Sequence, residues 1–263
     1  MTFKNEIIAA AAAQLASDYC CSAEDFLSFQ NKVTLSRKAE GQRWFKPEPS
    51  FFKAAVMGRG AVITAASEML DFSSELALKY TGAEIFDEQR KWLINRKLAE
   101  YGKAIAFNSI FYLPVTPYNY RLRDGFNFKF YEEDEIVREL YKVKGFDNAL
   151  MYNADKPRHD VLAVCAINGG KIVGMAGASN DSMRLWQIGI DVIPEYRHMG
   201  IGSELVAALT QAVFMHGAVP YYGTWSGNIA SQNTARRAGY YPVWTEIDAF
   251  DIDKLFPNLS VNG

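Results

Sequence analysis

The chain has little of what would mark several large classes of protein. Among its 263 residues are only 3 cysteines. They are Cys20, Cys21 and Cys165, two of them adjacent. Neither a disulfide framework nor a zinc-binding spacing can be drawn from them, and reduced thiols are expected. No stretch approaches the roughly 18 apolar residues of a membrane span. No excess of one charge is present: 28 Lys and Arg stand against 30 Asp and Glu, for a formal net charge of −2. No global field therefore draws the chain to nucleic acid. No His, Cys and Asp cluster points to a metal. What is there is ordinary for a globular protein, with 49% hydrophobic and 22% charged residues. Disorder, collagen and coiled coil are excluded. The length fits one large domain or two small ones.

The N-terminal run MTFKNEIIAAAAAQLASDYCC is Ala-dominated and helix-forming. It lacks the basic segment and the strongly apolar core of a signal peptide, so a cytoplasmic protein is expected. Ser22 reads as a helix N-cap followed by Glu24 and Asp25. Phe51 to Thr64 reads as a hairpin around Gly58-Arg59-Gly60. Helices are expected over Ser67–Tyr80 and Asp87–Tyr101, the second stopped by Gly102. A strand follows over Ala104–Leu113. The Pro- and Tyr-bearing stretch 116–125 reads as a linker between an N-terminal α+β domain, 1–115, and a second domain, 126–263. The second domain has another rhythm. Alternating Phe126, Phe128 and Phe130 make a strand, and Glu132–Val143 a helix. Asp160–Asn168 and Lys171–Ser179 pair around Gly169-Gly170, and Arg184–Val192 adds a strand. A helix over Gly200–His216, a strand over Pro220–Trp225, a helix over Ala230–Ala238 and a strand over Tyr241–Phe250 complete a mixed α/β-type sheet with helices on its faces.

The informative stretch begins where the fourth strand of this domain, Arg184–Val192, ends. Pro194 stops the ladder, and Arg197, Gly200 and Gly202 open a helix that buries Ile201, Leu205, Leu209 and Ala212. A helix N-terminus offers unpaired N–H groups and a partial positive charge. Glycines let a phosphate approach that backbone, and successive amides form an anion nest with Arg197 at its rim. The pattern is neither a Walker loop nor a dinucleotide fingerprint. Roughly thirty residues on, Asn228-x-x-Ser231-x-Asn233-x-Ala235-x-x-x-Gly239-Tyr240 forms a capped helix, with Asn228 as cap and Gly239 as stop.

These two segments in this order resemble the acyl-CoA signature of the GCN5-related N-acetyltransferases. Val192-x-Pro194-x-x-Arg197-x-x-Gly200-x-Gly202 matches the family's pyrophosphate turn. The Asn228 to Tyr240 helix matches its pantetheine-side helix. The element order is also the family's, over about 126–250. The resemblance implies a GNAT fold, preceded here by a smaller helix-rich α+β domain, and acetyl-CoA as cosubstrate. It implies acetyl transfer to a primary amine by direct attack in a ternary complex. The implied cosubstrate residues are Ile190, Asp191, Val192, Arg197, His198, Met199, Gly200, Ile201, Gly202, Ser203, Asn228, Ser231 and Asn233. Trp186, Gln187, Tyr222 and Trp225 would line the substrate cleft. The family often dimerises, so a second copy is a further expected partner, while no nucleic acid and no membrane is expected.

Two positions depart from the family. A frequent Tyr on the second helix is Ala235 here, and a frequent Glu on the strand before the turn is Gln187. Asp191 and Glu195 are therefore the candidates for the base, and Tyr240, Tyr241 or water for the acid that meets the leaving thiolate. The other reading these departures allow is an acyl-CoA-binding module without turnover. Asp181 reads as a turn former and His216 as a helix-end cation.

Overall fold

Capping chemistry and alternation build the elements that a computed structural model describes over residues 2–43, 49–114, 119–121, 124–151 and 160–255. The Ala-rich run forms α1 (Phe3–Tyr19). Ser22 donates from its N–H and hydroxyl to Asp25 at the start of α2 (Ala23–Leu27). β1 (Lys32–Leu35) follows, and β2 (Phe52–Val56) and β3 (Ala61–Ala65) form the expected hairpin. The helix expected from Ser67 begins as a 3₁₀ turn and continues as α3 (Leu70–Lys79). Thr81 and Glu84 cap one another at α4 (Gly82–Ile85), and Asp87 caps α5 (Glu88–Ala99). β4 (Lys103–Leu113) and β5 (Asn127–Glu132) come next. The helix expected over Glu132–Val143 is shorter than that. It comprises one turn, α6 (Glu133–Glu135), and a π turn over Ile136–Leu140, anchored by the buried Ile136 and Leu140. Then come β6 (Asp160–Asn168), β7 (Lys171–Ser179), β8 (Leu185–Val192), α7 (Ile201–Met215), β9 (Val219–Trp225), α8 (Ile229–Arg237), β10 (Tyr241–Asp251) and α9 (Ile252–Leu255). The sequence reading missed β1, α4 and α9, each only 4 residues long and too short to carry a period.

The chain divides into two compact units, each discontinuous in sequence. One gathers residues 12–42, 47–110 and 243–263, the other 1–11, 43–46 and 111–242. The stretch 116–125 falls inside the second, with its positions 116–118, 122 and 123 outside the described residues.

In the first unit the strand order is β1-β3-β2-β10-β4. β1 runs parallel to β3, and β10 runs antiparallel to β2, with Thr245 opposite Val56. The sheet and the α3–α5 helices enclose Phe52, Ile63, Met69, Leu76, Ile85, Ile94, Leu98 and Ile247, all buried. Burying each such side chain is worth about 1.5–3 kcal/mol.

In the second unit the order is β9-β8-β7-β6-β5. β5 to β8 form an antiparallel meander, and β9 joins β8 in parallel. Successive β7 residues face opposite sides. A side chain at Gly174 would meet Leu205 and Ile201 of α7. Its neighbour Met175 packs on the other face with Tyr131, Ile136, Leu140, Phe146 and Leu150. Cys165 belongs to that second core, and burial pushes its thiol up to about 12. Burial and the nearby Asp25 push Cys21 up to about 12 as well. The thiolate is the reactive form. Both thiols are therefore expected to resist Ellman's reagent in the native protein at pH 8 and to react on unfolding, counted by absorbance before and after guanidinium.

Candidate functional site

The site is built where β8 and β9 part. Their parallel register runs Leu185↔Val219, Trp186↔Pro220, Gln187↔Tyr221 and Ile188↔Tyr222, and there it stops. β8 continues to Val192, still paired with β7. Ile193 donates to the Val173 carbonyl. In an antiparallel ladder hydrogen-bonded residues alternate. Asp191, Gly189 and Gln187 therefore share the β7 ladder, and Ile190 and Val192 turn their backbone groups to the side from which β9 has withdrawn. Arg197 reaches back and donates from Nε to the Val192 carbonyl, 2.9 Å away.

The turn that follows has the backbone its glycines foretold. Pro194–Tyr196 makes one 3₁₀ turn. His198 (φ 64) and Gly200 (φ 79) are both left-handed. That region is rare for residues other than glycine. Gly200 is the N-cap of α7, and its carbonyl receives the first return bond, from the Glu204 N–H. The amides of Ile201, Gly202 and Ser203 thus precede the helical ladder. The Ser203 hydroxyl turns back onto the Gly200 carbonyl, 2.8 Å away. Arg197, His198 and Met199 are exposed around this turn. A side-chain carbon at Gly202 would lie 3.4 Å from Val192, 3.5 Å from Thr234 and 3.7 Å from Ile190. That is ordinary contact, so nothing in the protein itself demands a glycine there. The same distances show that the end of β8, the start of α7 and α8 converge on one spot.

From α8, the Asn228 side chain accepts from the Ser231 N–H, as its capping role requires. The Ser231 hydroxyl meets the Tyr222 hydroxyl at 2.8 Å. Tyr222 is buried, and desolvation pushes its phenol up to about 12. Asn233 is exposed on the same helix. Arg236, exposed on α8, faces Tyr112, where it partly offsets the rise that burial gives that phenol.

The candidates for proton transfer have unlike surroundings. The Asp191 carboxylate accepts from the Asn148 N–H (2.7 Å), the Asn148 amide (2.7 Å) and the Ala149 N–H (3.0 Å). Glu195 is exposed in the turn after β8. Tyr240 has no exposure, its hydroxyl lies 2.5 Å from Thr210 Oγ1, and burial raises its phenol well above the usual range. Of the expected cleft residues, Trp225 is exposed, Trp186 is half-buried with its ring centroid 5.9 Å from that of His216, and Gln187 lies against Tyr221.

The sequence reading did not find the 148–149 segment that holds Asp191. Nor did it find Glu204, buried in the first turn of α7, whose carboxylate accepts the Arg121 N–H at 2.5 Å. Only the acid in a helix's first turn could have drawn attention to Glu204, and that position usually serves the dipole. Among the described residues no group of three or more His, Cys, Asp or Glu is placed to hold a metal ion. No helix among them is long and apolar enough to cross a membrane.

Residues 120–240 match the model of the acetyltransferase (GNAT) family. No curated protein matches the chain. Among solved structures, the chain is similar to a GCN5-related N-acetyltransferase from Kribbella flavida, at 20% identity and TM-score 0.46, covering 59% of this chain and 62% of that one. A GNAT-family acetyltransferase from Colwellia psychrerythraea matches at 15% identity and TM-score 0.41, over 60% and 62% of the two chains. An aminoglycoside N-acetyltransferase solved in complex with CoA matches at 18% identity and TM-score 0.35, over 49% of this chain and 93% of that one. The chain thus spans under two thirds of the length of the first two.

Proposed function

We propose, from the premise that residues 120–240 form a domain of the acetyltransferase (GNAT) family, that this protein transfers an acetyl group from acetyl-CoA to a primary amine. The observation that carries this reading is the parting of β8 from β9 after Ile188, directly before a glycine turn that opens α7. The amides of Ile201, Gly202 and Ser203 suit a pyrophosphate, with Arg197, His198 and Met199 at the rim. Ile190 and Val192 offer backbone groups along which a pantetheine arm pairs as an added strand. Asn228, Ser231 and Asn233 flank it from α8.

The thioester would then lie beside the Val192 amide, which polarises its carbonyl and stabilises the developing oxyanion. The amine nitrogen attacks the carbonyl carbon. The C–S bond breaks, the CoA thiolate leaves, and the amide nitrogen gives up its proton. Holding the two reactants together can supply roughly 7–11 kcal/mol of the barrier. An amine that arrives uncharged needs no dedicated base. Asp191 is engaged with Asn148 and Ala149 and Tyr240 with Thr210, so we assign proton removal to water or to the exposed Glu195. Gln187, where many relatives carry Glu, favours the alternative of a binding module without turnover.

Calorimetric titration with acetyl-CoA, followed by CoA release over a panel of primary amines, separates the two readings. Micromolar binding with amine-dependent CoA release is the expected result. Binding with release no faster than in the absence of amine supports the module. No binding by the folded protein overturns both.

A further inference from the structure

Residues 146–151 cross the sheet of the second unit on the face away from α7. Gly174 of β7 faces α7, so Gly177, three residues on, faces the opposite way. Gly177 pairs with Gly189 of β8. The two glycines make a trough free of side chains, and the backbone of residues 148 and 149 lies in it. A side-chain carbon at Gly177 would stand 2.2 Å from the Ala149 carbonyl oxygen, and one at Gly189 2.0 Å from that of Asn148. Non-bonded atoms do not approach so closely, so the crossing needs both glycines. Carboxylates from two of the strands hold the segment. From β6, the buried Asp160 accepts the Met151 N–H at 2.8 Å and the Tyr141 hydroxyl at 3.0 Å. From β8, one Asp191 carboxylate oxygen accepts the N–H groups of Asn148 and Ala149, and the other accepts the Asn148 side-chain amide. Phe146, Ala149 and Leu150 are buried in the core below, while Asp147 and Asn148 are exposed.

The crossing falls at the opening of the site. Gly189 is the first β8 residue beyond the last pair with β9, Ile188↔Tyr222. The segment therefore lies against β8 just where the strands part. The glycine turn reaches the same opening from the α7 side, where a side-chain carbon at Gly202 would touch Val192 and Ile190. A donor held from that side leaves the opposite side of the parted strands to the nucleophile. Asp191 is poorly placed to be a base there. Of the roughly four acceptor positions of a carboxylate, three are aimed at N–H groups of one segment.

We infer that Asp191 is a positioning residue that pins residues 148 and 149 in the glycine trough, making this segment the wall along which the acetyl acceptor approaches the parted strands. Calling the approaching molecule an amine acceptor rests on the acetyl-transfer reading, whereas the pinning rests on the hydrogen bonds and the glycines alone. A wall of this kind fixes where the amine stands and takes no part in removing its proton. The two roles for Asp191 make different demands on Asp191→Asn. An asparagine cannot take up a proton at neutral pH, yet its carbonyl oxygen still accepts the two backbone N–H groups. A base is thus lost equally in Asp191→Asn and Asp191→Ala, whereas a pin is lost only in part in Asp191→Asn.

The test begins with the full chain, ¹⁵N-labelled and without ligand. In Asp191→Ala the backbone amides of Asn148 and Ala149 are expected to exchange with water at least about tenfold faster than in wild type, and in Asp191→Asn by a smaller factor. Wild-type exchange in a folded Asp191→Ala overturns the pinning. Should Asp191→Ala fail to fold, Asp191→Asn and Asn148→Ala each remove part of the set, and unmoved exchange in both overturns it. Amine-dependent CoA release then tests the wall. The amine KM is expected to rise about tenfold in Asp191→Ala and less in Asp191→Asn, with kcat falling much less than KM rises. A kcat lost equally in the two variants at wild-type KM makes Asp191 the base and overturns the inference, as does an amine KM unmoved in both. Acetyl-CoA affinity of Asn148→Ala should stay within about twofold of wild type, since the glycine turn lies on the other face. A larger loss there puts the segment on the donor side and overturns the wall. Failure of wild type to bind acetyl-CoA sinks the acetyl-transfer reading and the wall with it, whereas the amide exchange decides the pinning independently.

Discussion

Gly202→Glu is expected to reduce acetyl-CoA affinity at least about 100-fold, some 2.7 kcal/mol, while the protein remains folded. The position separates binding from folding. A side-chain carbon there meets Val192, Thr234 and Ile190 at 3.4–3.7 Å, so the first atom of the new side chain is accommodated. Gly202 is the second residue of α7, where a carboxylate suits the helix dipole. What the carboxylate does not suit is a second anion. It competes for the amides of Ile201, Gly202 and Ser203 and repels a pyrophosphate brought to the same turn. Gly200 would be a poorer choice, because its φ of 79 makes any side chain strained. Gly202→Ala is the companion: it keeps the fold and narrows the floor without adding charge, so a much smaller loss is expected. Calorimetric titration gives the affinities and thermal melting the stability. A Glu variant that binds acetyl-CoA as wild type does would remove the nest from the proposed function.

Gly189→Ala is expected to destabilise the protein by about 3–5 kcal/mol, read from urea unfolding, through a clash and the hydrogen bonds it breaks. An added carbon at Gly189 would stand 2.0 Å from the Asn148 carbonyl oxygen and 3.2 Å from the Ala149 Cα. These are backbone atoms, so no rotamer relieves the overlap and the 148–149 segment must move. That segment is fastened by three hydrogen bonds to the Asp191 carboxylate, two of them from backbone N–H groups. Moving it breaks charge-assisted bonds worth about 1.5–3 kcal/mol apiece. Asp191→Asn tests the same joint more gently: one amide oxygen replaces two carboxylate oxygens, and about 1–2 kcal/mol is expected to be lost. Wild-type stability in Gly189→Ala would mean that the loop yields freely and that Asp191 is available for other work.

How legible each feature was depended on how local its cause is. Asn228 caps α8 because its own side chain reaches the N–H of Ser231, three residues away. Gly200 ends the glycine turn because its own φ must be positive. The β6–β7 hairpin follows from Gly169-Gly170 between two alternating runs. Such causes are written in neighbouring residues. Tyr240 was read as a proton donor from its place after Gly239, yet its surroundings come from Thr210, 30 residues earlier. Asp191 was read as a base from its place near the end of a strand, yet its carboxylate is occupied by residues 42 and 43 positions away.

The sequence by itself determined strands β5 to β9 of the second unit, the two motif segments and the residues of the glycine turn, because strand alternation, helix caps and left-handed glycines are short-range chemistry; the last strand, read as completing that sheet, pairs instead with β2. Only the tertiary structure decided where β8 and β9 part, that β10 runs beside β2, and that Asp181, Tyr221 and Gln187 form one chain. Strand partners and buried hydrogen bonds join residues tens of positions apart. Which of many chemically acceptable pairings forms is settled by the packing of the whole domain, and no local pattern records it.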